Sequence, residues 1–158
     1  MSTPVPLFDI ATLAYVAGLF DGEGSIVIGY NKPDATRGRK VPSYWLQVGI
    51  TNTDRSLIDW LLSTFGGHIS DNSHSPSRKN QRPCWAWRTI GMQAKVFLQN
   101  ISPYLRIKKD QALLAIEFQD HLDTPGFAKR KDVTPELLEK REAYRQRLRQ
   151  MTLGSQGL

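Results

Sequence analysis

Nine residues near the start of the chain carry most of the information about its fold: Val16-Ala17-Gly18-Leu19-Phe20-Asp21-Gly22-Glu23-Gly24. They close a helix that we predict over residues 10–21, with Asp9 as its N-cap. Two carboxylates separated by one glycine, Asp21 and Glu23, follow at its end. Carboxylate oxygens and an exposed backbone carbonyl suit a hard divalent cation such as Mg²⁺. On these residues alone, the pattern also fits an ordinary turn that leaves a helix.

One face of the same helix is lined by small residues. Ala14, Gly18 and Gly22 fall four residues apart, which places them above one another on a helix. A second helix backbone can approach such a face closely. The spacing therefore predicts close helix packing here, either within the chain or between two chains.

Two stretches after the nine residues alternate between apolar and polar side chains. They predict half-buried strands at 25–31 and 44–51, joined by a basic, proline-containing loop at 31–43. The remaining predicted elements are a helix from Asn52 or Thr53 to Thr64, strands at 68–72 and 84–90 around a loop at 73–83, helices to Ile101 and over 109–122, a linker at 123–133 and an arginine-rich helix over 134–151. The last helix reads as a solvated amphipathic helix, with phosphate contact as the alternative.

Positive charge is concentrated in the middle of the chain. The 158 residues include 21 Lys and Arg against 15 Asp and Glu, a formal net charge of +6. Residues 72–109 contain eight basic residues and no acidic one, whereas residues 1–31 contain three acids and no Lys or Arg. This distribution favours a polyanionic partner or a membrane surface, and it predicts a localised acidic spot on a basic surface.

Several classes of protein are excluded. The single cysteine, Cys84, rules out an intrachain disulfide and a multi-cysteine zinc site. The longest apolar stretch, residues 10–20, is too short to span a bilayer, and no Lys or Arg precedes it as in a signal peptide. We therefore expect an intracellular protein without a membrane partner, cytoplasmic in a bacterial, phage or archaeal setting or else organellar.

Residues 15–25 resemble the LAGLIDADG motif of homing endonucleases, with residues 16–24 as its nine positions. The segment Pro103-Tyr104-Leu105-Arg106-Ile107-Lys108-Lys109-Asp110-Gln111-Ala112 is similar to the second recurring segment of that family. The resemblance covers roughly residues 10–122. It implies an α+β fold of order αββαββα, whose antiparallel sheet forms a saddle on DNA, with C-terminal helices added. We predict an endonuclease core at 1–122 and a linker and helical extension of the same domain at 123–158.

The resemblance also implies roles for individual residues. Glu23 matches the metal-binding acid, and the backbone carbonyl of Gly22 is expected to help hold Mg²⁺. Asp21 is expected to be structural, with a direct metal role as the less favoured alternative. Lys108 matches the lysine that approaches the scissile phosphate. Asn52, with Thr51 as an alternative, matches the polar residue that holds active-site water.

A single motif implies two chains. Each motif contributes one acid, and cutting two DNA strands requires two, so the resemblance implies a homodimer with motif helices packed about a two-fold axis. The predicted dimer interface comprises Ala14, Ala17, Gly18, Asp21 and Gly22. An isologous dimer predicts a roughly palindromic DNA target.

The faces of the strands that point away from the helices are expected to enter the major groove of DNA. Arg88 fits either face, because its strand lacks clean alternation. The predicted DNA-binding residues are Ser25, Val27, Asn31, Lys32, Arg37, Arg39, Lys40, Trp45, Gln47, His68, Ser70, Asn72, Arg78, Lys79, Arg82 and Arg88.

The function implied by the resemblance is a metal-dependent double-strand cut in a long, nearly palindromic site. Short 3′ overhangs and mobility of a host intron are expected by the same resemblance. Two alternatives are an RNA maturase that helps its intron RNA to fold and a DNA-binding protein without catalysis. Metal-dependent cleavage that disappears on Glu23→Gln separates the nuclease from both.

Overall fold

The computed structural model of the chain describes residues 8–72, 81–124 and 133–154. Within these ranges the helices and strands follow the predicted order. Their bounds are α1 Ile10–Glu23, β1 Gly24–Asn31, β2 Ser43–Asn52, α2 Arg55–Phe65, β3 His68–Asp71, β4 Trp85–Ile90, α3 Gly91–Ile101, α4 Lys109–Asp123 and α5 Pro135–Gly154. Two short 3₁₀ helices, Ala35–Arg37 and Ser102–Tyr104, complete the described elements.

The four strands form one antiparallel sheet in the order β1-β2-β4-β3. Alternate residues of β1 and β2, such as Ile26, Ile28 and Val48, are buried beneath the helices. The ring of Trp87 on β4 is fully buried on the same side, and its indole N–H donates to the Gly66 carbonyl at 2.7 Å. The α+β architecture, with one sheet face covered and the other open, confirms the predicted fold class.

The junction between α1 and β1 has no connecting loop. The Asp9 carboxylate caps α1 by accepting from the Thr12 N–H at 2.8 Å, as predicted. The helix continues two residues beyond the predicted end to Glu23, and β1 begins at Gly24. A Cβ at Gly24 would overlap the ring of Phe20, so only glycine allows this sharp junction. Glu23 is thereby held where helix and sheet meet.

The predicted start of α2 is one or two residues too early. The N-cap is Asp54, whose carboxylate accepts from the Leu57 N–H at 3.2 Å, rather than Asn52 or Thr53. Asn52 is engaged elsewhere: its Oδ1 accepts from the Asp54 N–H at 2.7 Å. The aspartate is therefore the residue left to satisfy the first free N–H groups of the helix.

The arginine-rich helix α5 packs against β1 and α4, which differs from the solvated helix expected for it. Leu148 is buried, and the Arg141 side chain is buried as well. The Tyr44 hydroxyl donates to Glu142 at 2.8 Å, and Glu142 also pairs with Arg145 at 2.9 Å. The charge pattern of α5 did not predict this packing, because the helix makes few apolar contacts. No helix in the described ranges is long and apolar enough to cross a membrane.

Candidate active site and nucleic-acid interface

Glu23 is exposed at the end of α1, and one side chain holds its carboxylate. The Asn52 amide donates from Nδ2 to Glu23 Oε2 at 2.5 Å. Because Asn52 Oδ1 already accepts from the Asp54 N–H, the amide nitrogen is the end that must face Glu23. The two residues predicted to share the site are thus brought together, and the carboxylate keeps oxygen capacity for a further ligand.

The Asp21 carboxylate is occupied by its own chain. It accepts from three consecutive backbone N–H groups, those of Arg106 at 2.8 Å, Ile107 at 3.2 Å and Lys108 at 3.0 Å. These bonds tie the end of α1 to the segment that leads into α4. They engage the Asp21 carboxylate within its own chain, and its metal and dimer-interface roles stay predictions.

Lys108 lies at the same helix end. Its Nζ donates to the carbonyl oxygens of Phe20 at 3.0 Å and Asp21 at 2.7 Å. Burial lowers the pKa of this ammonium, and the neighbouring Asp21 charge partly offsets that effect. A cation at the carbonyl end of a helix also interacts favourably with the negative end of the helix dipole. The structure therefore places Lys108 beside the Glu23 junction, bonded to the helix backbone.

The small-residue face of α1 is open. Ala14, Gly18 and Gly22 are exposed, and a Cβ added at either glycine would meet no atom within 4 Å. Ala17 is the exception and corrects the predicted interface: it is fully buried in the core of its own chain. A groove of Pro103, Tyr104, Leu105 and Arg106 runs beside the open face.

The oxygen donors at the junction are of the types that suit a hard cation. Glu23 supplies a carboxylate oxygen, and the exposed Gly22 supplies a backbone carbonyl oxygen. Mg²⁺ prefers both types of oxygen ligand. Among the described residues, no group of three or more His, Cys, Asp or Glu side chains could hold a metal ion. Mg²⁺ usually keeps several water molecules and takes its other ligands from one or two carboxylates and substrate phosphates.

Transverse rows of side chains cross the open face of the sheet. The row nearest Glu23 pairs Ser25 with Gly49, Gly49 with Arg88 and Arg88 with His68. The next row pairs Val27 with Gln47 and Gln47 with Ile90, and a third pairs Gly29 with Trp45. The predicted strand residues therefore lie on one face of the sheet. Ser70 lies on the same face, and Asn31 and Asn72 extend it at the strand ends.

The register resolves the facing of two residues that the sequence left ambiguous or missed. Arg88 belongs to the open face, where its guanidinium donates to Ser70 Oγ at 3.1 Å. Ile90 shares this face and is 52% exposed. It was missed because the facing of β4 was unresolved; spacing by two from Arg88 would have identified it.

Trp45 lies on the open face as predicted, yet its side chain is only half exposed. Its indole ring lies across Gly29 on the neighbouring strand, and a Cβ at Gly29 would overlap that ring. Because Gly29 has no side chain, the Trp45 indole can occupy the space over its backbone.

The predicted basic residues of the loops lie beyond the strand ends. Lys32, Arg37, Lys40 and Arg82 are exposed. Arg37 also forms an ion pair with Asp34 at 3.6 Å, and Arg39 donates to the Lys32 carbonyl at 3.2 Å. Arg78 and Lys79 lie outside the described residues.

No family model matches the sequence and no curated protein matches it, but solved structures do. The homing endonuclease I-CvuI, crystallised with its target and calcium, is 17% identical with a TM-score of 0.69, covering 89% of this chain and 82% of that one. The archaeal intron-encoded homing endonuclease I-Vdi141I, complexed with DNA, is 16% identical with a TM-score of 0.69, covering 89% and 84%.

A third match is the LAGLIDADG homing endonuclease I-SmaMI bound to cleaved DNA, 20% identical with a TM-score of 0.62. The match covers 92% of this chain and 47% of that one, so this chain spans about half the length of I-SmaMI. These likenesses agree with the α+β architecture and its four-stranded antiparallel sheet. The chain has the LAGLIDADG homing endonuclease fold.

Proposed function

We propose that this protein is a site-specific, Mg²⁺-dependent DNA endonuclease that acts as a homodimer. The observation that carries the proposal is the position of Glu23. Its exposed carboxylate, held by Asn52 at 2.5 Å, lies where the open face of α1 meets the open face of the sheet. A DNA backbone resting on the sheet passes this carboxylate.

Glu23 and the Gly22 carbonyl are the residues that would hold the divalent cation. When bound there, such an ion supplies a water of lowered pKa and stabilises negative charge on the phosphate. Asn52 orients the Glu23 carboxylate through the Nδ2 donor. Lys108 holds the carbonyl end of α1 through Phe20 and Asp21, which fixes the position of the neighbouring Gly22 and Glu23.

The requirement for one acid per DNA strand supports the dimer. One chain supplies Glu23, and the open stripe of Ala14, Gly18 and Gly22 lets a second α1 approach closely about a two-fold axis. That packing brings two Glu23 side chains together. Because the interface is isologous, the preferred DNA site is close to palindromic.

The open sheet face supports duplex DNA as the substrate. It combines hydrogen-bonding side chains in rows on β1, β2 and β4 with exposed basic residues at the loop ends. A β-ribbon of this kind fits the major groove, and the flanking cations neutralise phosphates. By family resemblance, the cut leaves short 3′ overhangs and promotes mobility of a host intron.

The first test is cleavage of a DNA library made from intron-free host genes, with Mg²⁺ or with EDTA. We expect discrete cuts that require the metal, with ends whose sequencing shows 3′ overhangs. Glu23→Gln should lower cleavage at least about a hundredfold while the variant still binds DNA, because Gln keeps the Asn52 contact and loses the charge. Glu139→Gln, an exposed acid on α5, is the matched control and should cut normally.

Two results would contradict the proposal. Specific DNA binding without any cleavage would assign a catalytically inactive DNA-binding protein. Binding of the intron RNA without preference for any DNA would assign the maturase.

The dimer has a separate test. Gly18→Leu fills space that is open in one chain, so the variant should fold normally. The leucine would keep two α1 helices apart, so sedimentation should show a monomer that no longer cuts both strands. Ala143→Leu, which places a leucine at an exposed position on α5, is the control and should stay dimeric. A Gly18→Leu dimer of wild-type strength would sink the proposed interface.

A further inference from the structure

The second row of the open sheet face has a composition unlike the others. Val27, Gln47 and Ile90 lie side by side across β1, β2 and β4, with the amide in the middle. Val27 is 45% exposed and Ile90 is 52% exposed, whereas the aliphatic residues of the same strands on the other face are buried. Two uncovered aliphatic side chains therefore flank one polar group.

The Gln47 amide has donor and acceptor capacity to spare. Its backbone is paired in the ladder with both neighbouring strands. Among the described residues, its side-chain amide receives and donates no hydrogen bond, in contrast to the Asn52 amide, which is engaged at both ends. A half-buried amide with both groups available suits a ligand that offers one acceptor and one donor at matching spacing.

An A·T base pair presents that combination in the major groove. Adenine offers N7 as an acceptor and its N6 amino group as a donor, to which a glutamine amide binds in a bidentate manner. Thymine places a methyl group on the same groove edge, where an aliphatic side chain makes apolar contact. No other base pair supplies a methyl group there, so the exposed Val27 and Ile90 gain a partner only at A·T.

We propose that the row Val27–Gln47–Ile90 reads an A·T pair in each half of the DNA target. The proposal rests on the proposed function of this chain as a DNA endonuclease and specifies part of its substrate. The thymine methyl contacts Val27 or Ile90 while Gln47 binds the adenine.

The neighbouring row fixes where this pair lies. Arg88 stands in the row nearest Glu23, and an arginine on a sheet face pairs best with guanine O6 and N7. Rows on one face are two residues apart, or about 6.6 Å at a rise of ~3.3 Å per residue. That distance equals about two base-pair steps of ~3.4 Å. The A·T pair therefore lies about two base pairs farther from the cut than a G·C pair.

A protein partner is the main rival for the exposed Val27 and Ile90. The polar neighbours argue against it, because Ser25, Arg88 and His68 line the adjacent row and leave the apolar area too narrow for a protein interface core. The test distinguishes the two by asking whether the side chain at position 47 changes base choice.

The experiment selects cleaved duplexes from a library with a randomised core, using the full chain with Mg²⁺. Wild type should enrich an A·T pair in each half-site about two base pairs outside a G·C pair. Gln47→Lys should change the preferred base at that position from A to G, and Gln47→Glu from A to C, each by roughly tenfold or more. Val27→Ala should weaken the preference at the same position and leave the rest of the site unchanged.

Gln99→Glu is the matched control, since this exposed glutamine lies on α3 beneath the sheet, and it should leave every position unchanged. Discrete cutting with no A·T preference at that spacing, or the same preference after Gln47→Lys, overturns the base-reading row while the endonuclease stands. If the wild-type protein neither cleaves nor specifically binds DNA, the proposed function itself is wrong.

Discussion

Two regions of this molecule meet at Glu23 and are built in opposite ways. At the helix end, the polar side chains of Asp21, Asn52 and Lys108 are held by short bonds, most of them to backbone groups. On the open sheet face, Gln47 and Arg88 make few bonds within the described chain, and Val27 and Ile90 stay uncovered.

Under the proposed function, the difference separates two tasks. A group that positions reacting atoms must already be in place before the substrate arrives, because any motion there costs rate. Groups that read bases gain from unpaired capacity, because that capacity is what discriminates one base pair from another. The helix end is therefore the rigid region and the sheet face the adaptable one, and each can be tested by disturbing it.

The largest effect is expected from Asp21→Ala at the helix end. The variant leaves three backbone N–H groups without their acceptor, so we expect the free energy of unfolding to fall by about 2–3 kcal/mol. Cleavage should fall at least about a hundredfold, because the Lys108 segment loses its tie to α1. Denaturant unfolding and cleavage assays measure the two effects.

Asp21→Asn keeps one acceptor oxygen. Its losses in the free energy of unfolding and in cleavage should therefore be smaller than those of the alanine variant. Asp59→Ala removes an exposed carboxylate of α2 that pairs with Arg55, and as the control it should shift stability by less than about 1 kcal/mol. Full stability and activity in Asp21→Ala would mean that the helix end is not held in the way described.

An intermediate effect is expected from Gly29→Ala on the sheet face. The new methyl group overlaps the Trp45 ring, so the indole must leave its seat, at a cost of about 1–3 kcal/mol in the free energy of unfolding. DNA binding should weaken and base preference should change at the outer part of the site, while the metal requirement stays the same.

The partner substitution makes this prediction sharper. Trp45→Ala removes the obstacle, so the double variant Gly29→Ala/Trp45→Ala should be no less stable than Trp45→Ala alone. Additive losses in the double variant would show that the two residues do not share one site.

In both regions the sequence predicted local features and left longer-range ones open, and the reason is physical. The spacing of Asp21 and Glu23, together with the preceding small residues, is a local pattern, and the structure placed Glu23 beside Asn52 as a strand-end partner. The facing of Arg88 depended on strand register, which is set by packing across strands rather than by local spacing.

Contacts between distant segments also could not be predicted from local sequence patterns. The cap that Asp21 provides to residues 106–108 joins segments about 85 positions apart, and nothing near Asp21 in the sequence marks it. The burial of Ala17 followed from the rotation of α1 against the core, since adjacent helix positions face different ways. The burial of Arg141 was unforeseen because the charge pattern alone predicted a solvated helix over 134–151.

The smallest effect concerns the pH dependence that Lys108 adds to the rigid region. Burial lowers the pKa of its ammonium in the folded chain below the ordinary value of 10.5, which the unfolded chain keeps. Between the lowered pKa and 10.5 the unfolded state binds more protons, so this group makes stability rise as the pH increases. Lys108→Met removes the group, and a plot of the free energy of unfolding against alkaline pH should therefore have a less positive slope for the variant than for wild type. Lys109→Met, at the exposed neighbouring position, should keep the wild-type slope. Equal slopes in wild type and Lys108→Met would show that the ammonium is as well solvated as any surface lysine, and the helix end would then be less enclosed than its two carbonyl bonds indicate.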